Sequence, residues 1–404
     1  MESISTISDP RCVTSPRGFK ACGIRCGLKK KGKDLALLVS DRPAAMAALF
    51  TTNRLPAAPI HLSRQRAQAG VARAVLINSG NANACTGERG LADAEEMTEQ
   101  VAKNLDLDPQ HVLVASTGII GVPLRMDAVR AGVARACQRL STDGGEDAAH
   151  AIMTTDTRPK HFMVKFALDG KPCRIGAMAK GSGMINPHLA TMICVMSTDA
   201  AIQPALLREA LTNSVGRSLN ALTIDGEMST NDAVFLLANG AAGNEMIRRR
   251  DKNYRIFSSA LQSISTSVAE ALAADGEGAT RLVRVTVEQA KTWKEAMTAA
   301  KAVANSLLVK TAIFGRDPNW GRVISAVGAS GVALDPGAIG IRFAGILVAK
   351  QGAATDYDAA VMTKALEQKE IAIRISLGAG RESAQVLTCD LTHGYIKINA
   401  DYHT

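Results

Sequence analysis

The sequence predicts a two-lobed α/β protein, a sandwich in which helices cover stacked sheets. Three observations predict it. The chain has 404 residues, more than one ordinary core needs. Its composition, 47% hydrophobic and 21% charged, is that of a soluble globular protein. Short apolar segments alternate along it with helical patterns. Aromatics make up only 3%, so the core must be built from Ala, Val, Ile, Leu and Met.

The elements follow in order. DLALLVSD (34–41), AMAALFTT (45–52) and ARAVLINSG (72–80) read as strands. GLADAEEMTEQVAKNL reads as a helix with Leu91, Met97, Val101 and Leu105 on roughly one face. HVLVAST (111–117) is a strand running into a turn at Gly118–Gly121, and Pro123 suits the first turn of a helix. KGSGMINPHLATMICVMSTDA (180–200) is a glycine-bearing loop leading into an apolar strand, Met192–Met196. Pro204 opens the helix PALLREALTNSV. Phe257, Leu261, Ile264, Val268 and Leu272 form one apolar stripe on a long helix. That helix ends at Asp275-Gly276, where Gly276 suits a left-handed cap. RLVRVTVE (281–288) alternates like a half-exposed strand, and Trp293–Asn305 is an alanine-rich helix. EIAIRISL, AQVLTCDL and GYIKINADY close the chain as three strands.

Several functions are set aside. The net charge is +9, but the basic residues are spread out. The densest run, KKKGK (29–33), carries no aromatics and reads as a solvated loop, so no nucleic-acid partner is expected. Of the eight cysteines, Cys22 and Cys26 are close, yet no second pair and no histidine at zinc spacing accompanies them. Reduced thiols, no metal and a cytoplasmic location are expected. The N-terminus shows no signal peptide, and no apolar run nears the ~20 residues of a membrane span. SLGAGRES (376–383) contains Gly-x-Gly but has Ser383 where a dinucleotide turn needs glycine, so it reads as a hairpin. DGEGAT (275–280) lacks the alternating acids of a calcium loop. Its Glu277 reads first as part of a capping turn. NSGNANACTG (78–87) fits an active-site loop and an Asx-rich turn equally.

None of the seven histidines lies in a hydrolase-like motif such as G-x-S-x-G. A chain can instead be cut just before Ser, Thr or Cys. The new α-amine, with an unperturbed pKa of about 7.7–8.0, then serves as base to the adjacent side chain. Residues 180–196 suit this. Gly181 and Gly183 permit unusual dihedrals, Pro187 fixes another, and small Ala190 leaves its carbonyl open. Thr191 then leads the apolar strand. A glycine-rich loop with a threonine there by chance fits the same residues.

KGSGMINPHLATM resembles the self-processing segment of the ornithine acetyltransferase family, the bifunctional glutamate/ornithine acetyltransferases of arginine biosynthesis. The resemblance continues in order through NSGNANACTG, STGIIG, MTTDT (153–157), TIDGEMSTND (223–232), ADGEGAT, KTAIFGRDPNWGR (310–322) and YIKINADYHT. His188-Leu189 stands where Asn-Met is common, and His403 precedes the last threonine. The resemblance implies a self-cleaving α/β sandwich cut between Ala190 and Thr191. The products are an α chain, 1–190, and a β chain, 191–404, with Thr191 as nucleophile. It implies an oxyanion hole at Thr117 and Gly118, and substrate contacts at Thr154, Lys180, Thr191, Glu277, Asn399 and Thr404. Thr154 is taken over its chemically equivalent neighbour Thr155, and the C-terminal tail is expected in the site.

The implied reaction is ping-pong. Thr191 takes the acetyl group of N2-acetylornithine, ornithine leaves, and glutamate accepts the group. The fragments stay together, usually as an α2β2 heterotetramer. No metal or prosthetic group is needed, and acetyl-CoA is a second donor in bifunctional members only. The rival readings are an amidase or aminopeptidase with the same self-exposed nucleophile, a related acetyltransferase of specialised metabolism, and a basic binding protein without catalysis.

Overall fold

The computed structural model describes residues 5–186 and 192–401. The expected cleavage pair Ala190–Thr191 and the expected contact Thr404 therefore lie outside the described residues.

Residues 34–52, read as two strands, form one strand of 16 residues, Leu35–Phe50. Its ladder with the neighbouring strand shifts register between Val39 and Ala44. Such a shift bends a strand while pairing continues, which the apolar pattern alone does not reveal. This strand is β3 of a nine-stranded sheet. The others are β1 (Thr6–Ser8), β2 (Phe19–Ile24), β4 (Val71–Asn81), β5 (Val112–Ile119), β6 (Lys160–Leu168), β7 (Lys171–Lys180), β8 (Ile193–Thr198) and β9 (Ala233–Ala238). Their order is β1-β6-β7-β8-β9-β3-β4-β5, with β2 pairing β3 off that path. The first half of β3 pairs with β2 and the second half with β9.

The two halves stack. Leu38, Ile77 and Leu113 from one half share a core with Val195, Phe235 and Leu237 from the other. Alternate residues face outward, as the two-residue period of a strand requires. Leu35, Leu37, Leu76 and Val114 pack on α2 (Gly87–Leu105) and α3 (Met126–Gln138). Cys194, Met196 and Leu236 pack on α5 (Pro204–Gly216) and α6 (Lys252–Ala274). The result is helix, sheet, sheet, helix. Two further helices, α1 (Ala58–Arg66) and α4 (Gly145–Ile152), reach the inner layer through Ile60 and through Ala148, Ala149 and Ile152. The predicted stripe Phe257, Leu261, Ile264, Val268 and Leu272 is fully buried on α6. Leu91, placed on the same face as Met97, is instead 42% exposed in the first turns of α2.

The second lobe is a six-stranded sheet of β10 (Leu282–Ala290), β11 (Gly340–Phe343), β12 (Ile346–Lys350), β13 (Ala353–Ala354), β14 (Glu370–Ser376) and β15 (Glu382–Cys389). It shares a separate core with α7 (Trp293–Asn305), α8 (Leu307–Phe314), α9 (Trp320–Gly328) and α10 (Ala359–Leu366). The chain order matters for the expected cut. β7 precedes it and β8 follows it, yet the two pair from Ile175↔Thr198 to Lys180↔Ile193. The expected fragment boundary thus runs through the large sheet, not between the lobes.

Three local expectations are corrected. β14 and β15 do not form a hairpin: they flank β10, which pairs with both. Their connection crosses the end of β10, where Ala379 N and Gly380 N donate to Gln289 O at 2.8 and 2.9 Å. The last segment is a helix, α11 (His393–Asp401), and not a strand. The left-handed glycine after α6 is Gly278, at φ +67°, and not Gly276. Gly276 is packed so that a Cβ would sit 2.9 Å from Cys389 Sγ.

Candidate active site

The end of β5, the end of β7, the turn after α6 and one face of α11 converge on a single pocket. Among its lining residues are Thr117, Gly118, Thr154, Thr155, Lys180, Glu277 and Asn399. Of the site residues named from sequence, every one within the described residues lines this pocket. Thr154 and Thr155 both do, so lining alone does not separate them.

Thr117 and Gly118 end β5 beside Gly80 of β4. Gly118 has φ +134°, and a Cβ there would lie 2.3 Å from Gly80 C. Only glycine fits such a conformation and such an approach. Asn231 ties the two strand ends together, donating from Nδ2 to Ala82 O at 2.6 Å and to Ser116 O at 2.8 Å. The polar residues of NSGNANACTG are spent similarly. Asn83 donates to Gly90 O, Thr86 donates to Asn83 Oδ1, and Asn78 donates to Asn81 O. The segment is the end of β4 followed by an Asx-stabilised turn, and it offers the pocket Ala82.

Lys180 is 4% exposed and donates from Nζ to Thr117 Oγ1 at 3.2 Å. Burial pushes its ammonium pKa down, Asp156 pulls it back, and Lys160 adds to the lowering. The loop beyond it is pinned to Asp225, whose two carboxylate oxygens accept from Met184 N at 2.5 Å and Ile185 N at 2.8 Å. Burial raises the Asp225 carboxyl despite these bonds. Gly181 has φ +156°, and a Cβ on Gly183 would meet the Glu277 carboxylate at 2.3 Å, so a larger residue there would displace that side chain.

Glu277 is buried, and Asn399 Nδ2 donates to its Oε2 at 2.8 Å. The capping turn and the pocket residue are thus one feature. Tyr395 and Asn399 are four residues apart and share a helical face, and both line the pocket. Tyr395 OH donates to Asp225 Oδ2 at 3.3 Å.

On the far side of the undescribed segment, Met192 N donates to Asp232 Oδ1 at 3.0 Å. Thr191 is bonded to that nitrogen's residue, and Ile193, one residue further, pairs with Lys180. The described chain therefore resumes at Met192, held by Asp232, one residue before β8 and beside the strand end that carries Lys180. Asp232 is 1% exposed, and burial pushes its carboxyl well above the ordinary range despite the Met192 bond and Lys180.

Sequence reasoning missed Asp225, Glu227, Ser229, Thr230 and Asn231 as lining residues, and Tyr395 with them. The dense polar run TIDGEMSTND before β9 was the available signal. For Tyr395 there was none while α11 was read as a strand.

A buried lysine, a glycine-enforced strand end and converging polar side chains meet in one pocket, a candidate active site. The chain belongs to the ArgJ family, whose model matches residues 20–404. It is similar to the arginine biosynthesis bifunctional protein ArgJ of Symbiobacterium thermophilum, 48% identical across 97% of this chain and 98% of the relative. The protein of that name from Caldanaerobacter subterraneus subsp. tengcongensis is 47% identical over 97% and 98%. A crystal structure of the Bacillus halodurans protein is 38% identical at TM-score 0.50, covering 51% of this chain and 97% of that one.

Proposed function

We propose that this protein transfers the acetyl group of N2-acetyl-L-ornithine to L-glutamate, giving ornithine and N-acetylglutamate. Autoproteolysis between Ala190 and Thr191 first frees the Thr191 amine. Thr191 Oγ1 then attacks the acetyl carbonyl, with its own α-amine as base. Thr117 and Gly118 donate to the oxyanion as charge develops. The acetyl group rests on Thr191 until glutamate takes it.

The observation that carries this reading is one pocket. Thr117, Gly118, Thr154, Lys180, Glu277 and Asn399 come from five separated stretches of chain and line it together, with Lys180 at the end of the β7–β8 ladder. Their chemistry suits the substrates. An ammonium at Lys180 can hold the α-carboxylate that ornithine and glutamate share. A carboxylate at Glu277 can pair with the ornithine side-chain cation. The family is consistent with the reading, since its relatives are named for arginine biosynthesis and for two functions. The solved Bacillus halodurans chain is about half as long as this one, as a cleaved fragment would be.

After such a cut, the β7–β8 ladder would hold the two fragments together. We expect a cytoplasmic α2β2 assembly with no metal or prosthetic group, and acetyl-CoA as a second donor. Among the described residues, no helix is long and apolar enough to cross a membrane. The test is product analysis with acetylornithine, with and without glutamate. Acetylglutamate formed in step with ornithine, with little free acetate, supports the transferase. Free acetate released at one rate in both cases points to the amidase or aminopeptidase with the same nucleophile.

A further inference from the structure

Lys160 lies outside every role assigned so far. It begins β6, is 1% exposed, and bridges two carboxylates: Asp156 Oδ1 at 2.6 Å and Asp275 Oδ2 at 2.6 Å. A buried ion triad is costly to assemble and weak evidence of net stability. Its other bonds suggest what it does instead.

Asp156 accepts from Thr154 N at 3.0 Å through Oδ2 and from Gly181 N at 2.7 Å through Oδ1. It thereby fixes the backbone of one pocket residue and of the residue following another, Lys180. Asp275 accepts from Thr157 N at 3.1 Å and also from the Thr157 hydroxyl. The Asp275 carbonyl accepts from Ser182 Oγ at 2.6 Å, and Glu277 N donates back to Ser182 O at 2.8 Å. One ammonium thus joins the loop carrying Thr154, the strand end carrying Lys180 and the turn carrying Glu277.

We propose that Lys160 is the positioning residue of this active site: its bridge between Asp156 and Asp275 sets the spacing of Thr154, Lys180 and Glu277. The proposal goes beyond the acetyl-transfer reading but uses that reaction as its readout. The surrounding charges are defined. Asp156 faces Lys160, Lys180 and Lys29, while Lys180 also faces Asp232 and Glu277. Burial pushes the Asp156 carboxyl up, but Lys160, Lys180 and the Gly181 N–H prevail and hold it at about 2. Taking Lys160 away therefore raises Asp156, and it also raises Lys180 by removing a like charge.

The experiment compares wild type with Lys160→Met, Lys160→Arg and the double variant Lys160→Met/Asp275→Asn. The readouts are Tm and steady-state kinetics for both substrates across pH. In Lys160→Met, kcat/KM falls by roughly 10²-fold, the size of a misplacement near 1 Å. The pH limb on which Asp156 titrates moves to higher pH. Lys160→Arg keeps the charge and restores that limb in part. The double variant removes one charge of each sign, so it recovers Tm but not kcat/KM, because the tether is still missing. It also carries the comparison if Lys160→Met does not fold. A folded double variant with wild-type kcat, KM for both substrates and pH profile would overturn the proposal. A wild-type enzyme inactive on acetylornithine and glutamate would instead sink the acetyl-transfer reading, a failure visible before any variant is made.

Discussion

Asn399 Nδ2 and Glu277 Oε2 lie 2.8 Å apart, joining the last described helix to the turn that follows α6. The bond holds one carboxylate oxygen of Glu277 and brings α11 to the pocket that both residues line. Glu277→Gln is expected to raise KM for acetylornithine by about 1.5–3 kcal/mol equivalent, the usual worth of a charged hydrogen bond. KM for glutamate should change less, since it has no side-chain cation. Equal effects on both substrates in steady-state assays would assign Glu277 to the shared amino-acid portion.

Thr117→Ala removes a donor that strengthens as the oxyanion forms. The expected loss is on the order of 2.7–4 kcal/mol, carried by kcat. Kinetics that show KM tenfold higher with kcat unchanged would place Thr117 in ground-state binding instead.

Gly118→Ala tests the strand end itself. The φ of +134° and the 2.3 Å approach to Gly80 leave no room for a methyl. The unfavourable conformation alone costs about 1–3 kcal/mol, so Tm should fall along with activity. A variant with wild-type Tm and kcat would show that β4 and β5 part easily there.

The sequence displayed much of this where a single period dominates. The α6 stripe and the alternation of RLVRVTVE each named their element, and α7 begins and ends where it was placed. It misled where two periods fit. Tyr395, Lys397 and Asn399 look like one face of a strand, but Tyr395 and Asn399 also match a helical turn, and the helix formed. Topology was hidden for a different reason. The register of β14, β10 and β15 depends on partners far apart in sequence, which local patterns cannot encode. The pocket residues were named through motif resemblance. Lys160, at the head of an ordinary strand, gave no local sign of the two carboxylates that meet it.

Asp232→Asn isolates the buried acid beside Met192. Its folded pKa is raised, so its contribution to stability is fully present below the unfolded value and is lost as pH rises through the folded one. The asparagine variant still accepts from Met192 N and carries no charge. It should match wild type only below about pH 3.9, the unfolded carboxyl value, and exceed it in Tm increasingly as pH rises above that. A wild-type advantage that grows with pH, followed by calorimetry, would contradict this sign.

If Thr191 is the nucleophile, intact-mass spectrometry will find the acetyl group on the chain that it begins. Wild-type protein is mixed briefly with acetylornithine, without glutamate, and quenched in acid. Two chains are expected, 1–190 and 191–404, with one acetyl group added to the second only, and an uncut, inactive Thr191→Ala variant. Thr191→Ser should still cleave in part, because it keeps the hydroxyl but lacks the methyl that restricts χ1. A fully active single chain, an acetyl group on the first fragment, or turnover by Thr191→Ala would contradict that role.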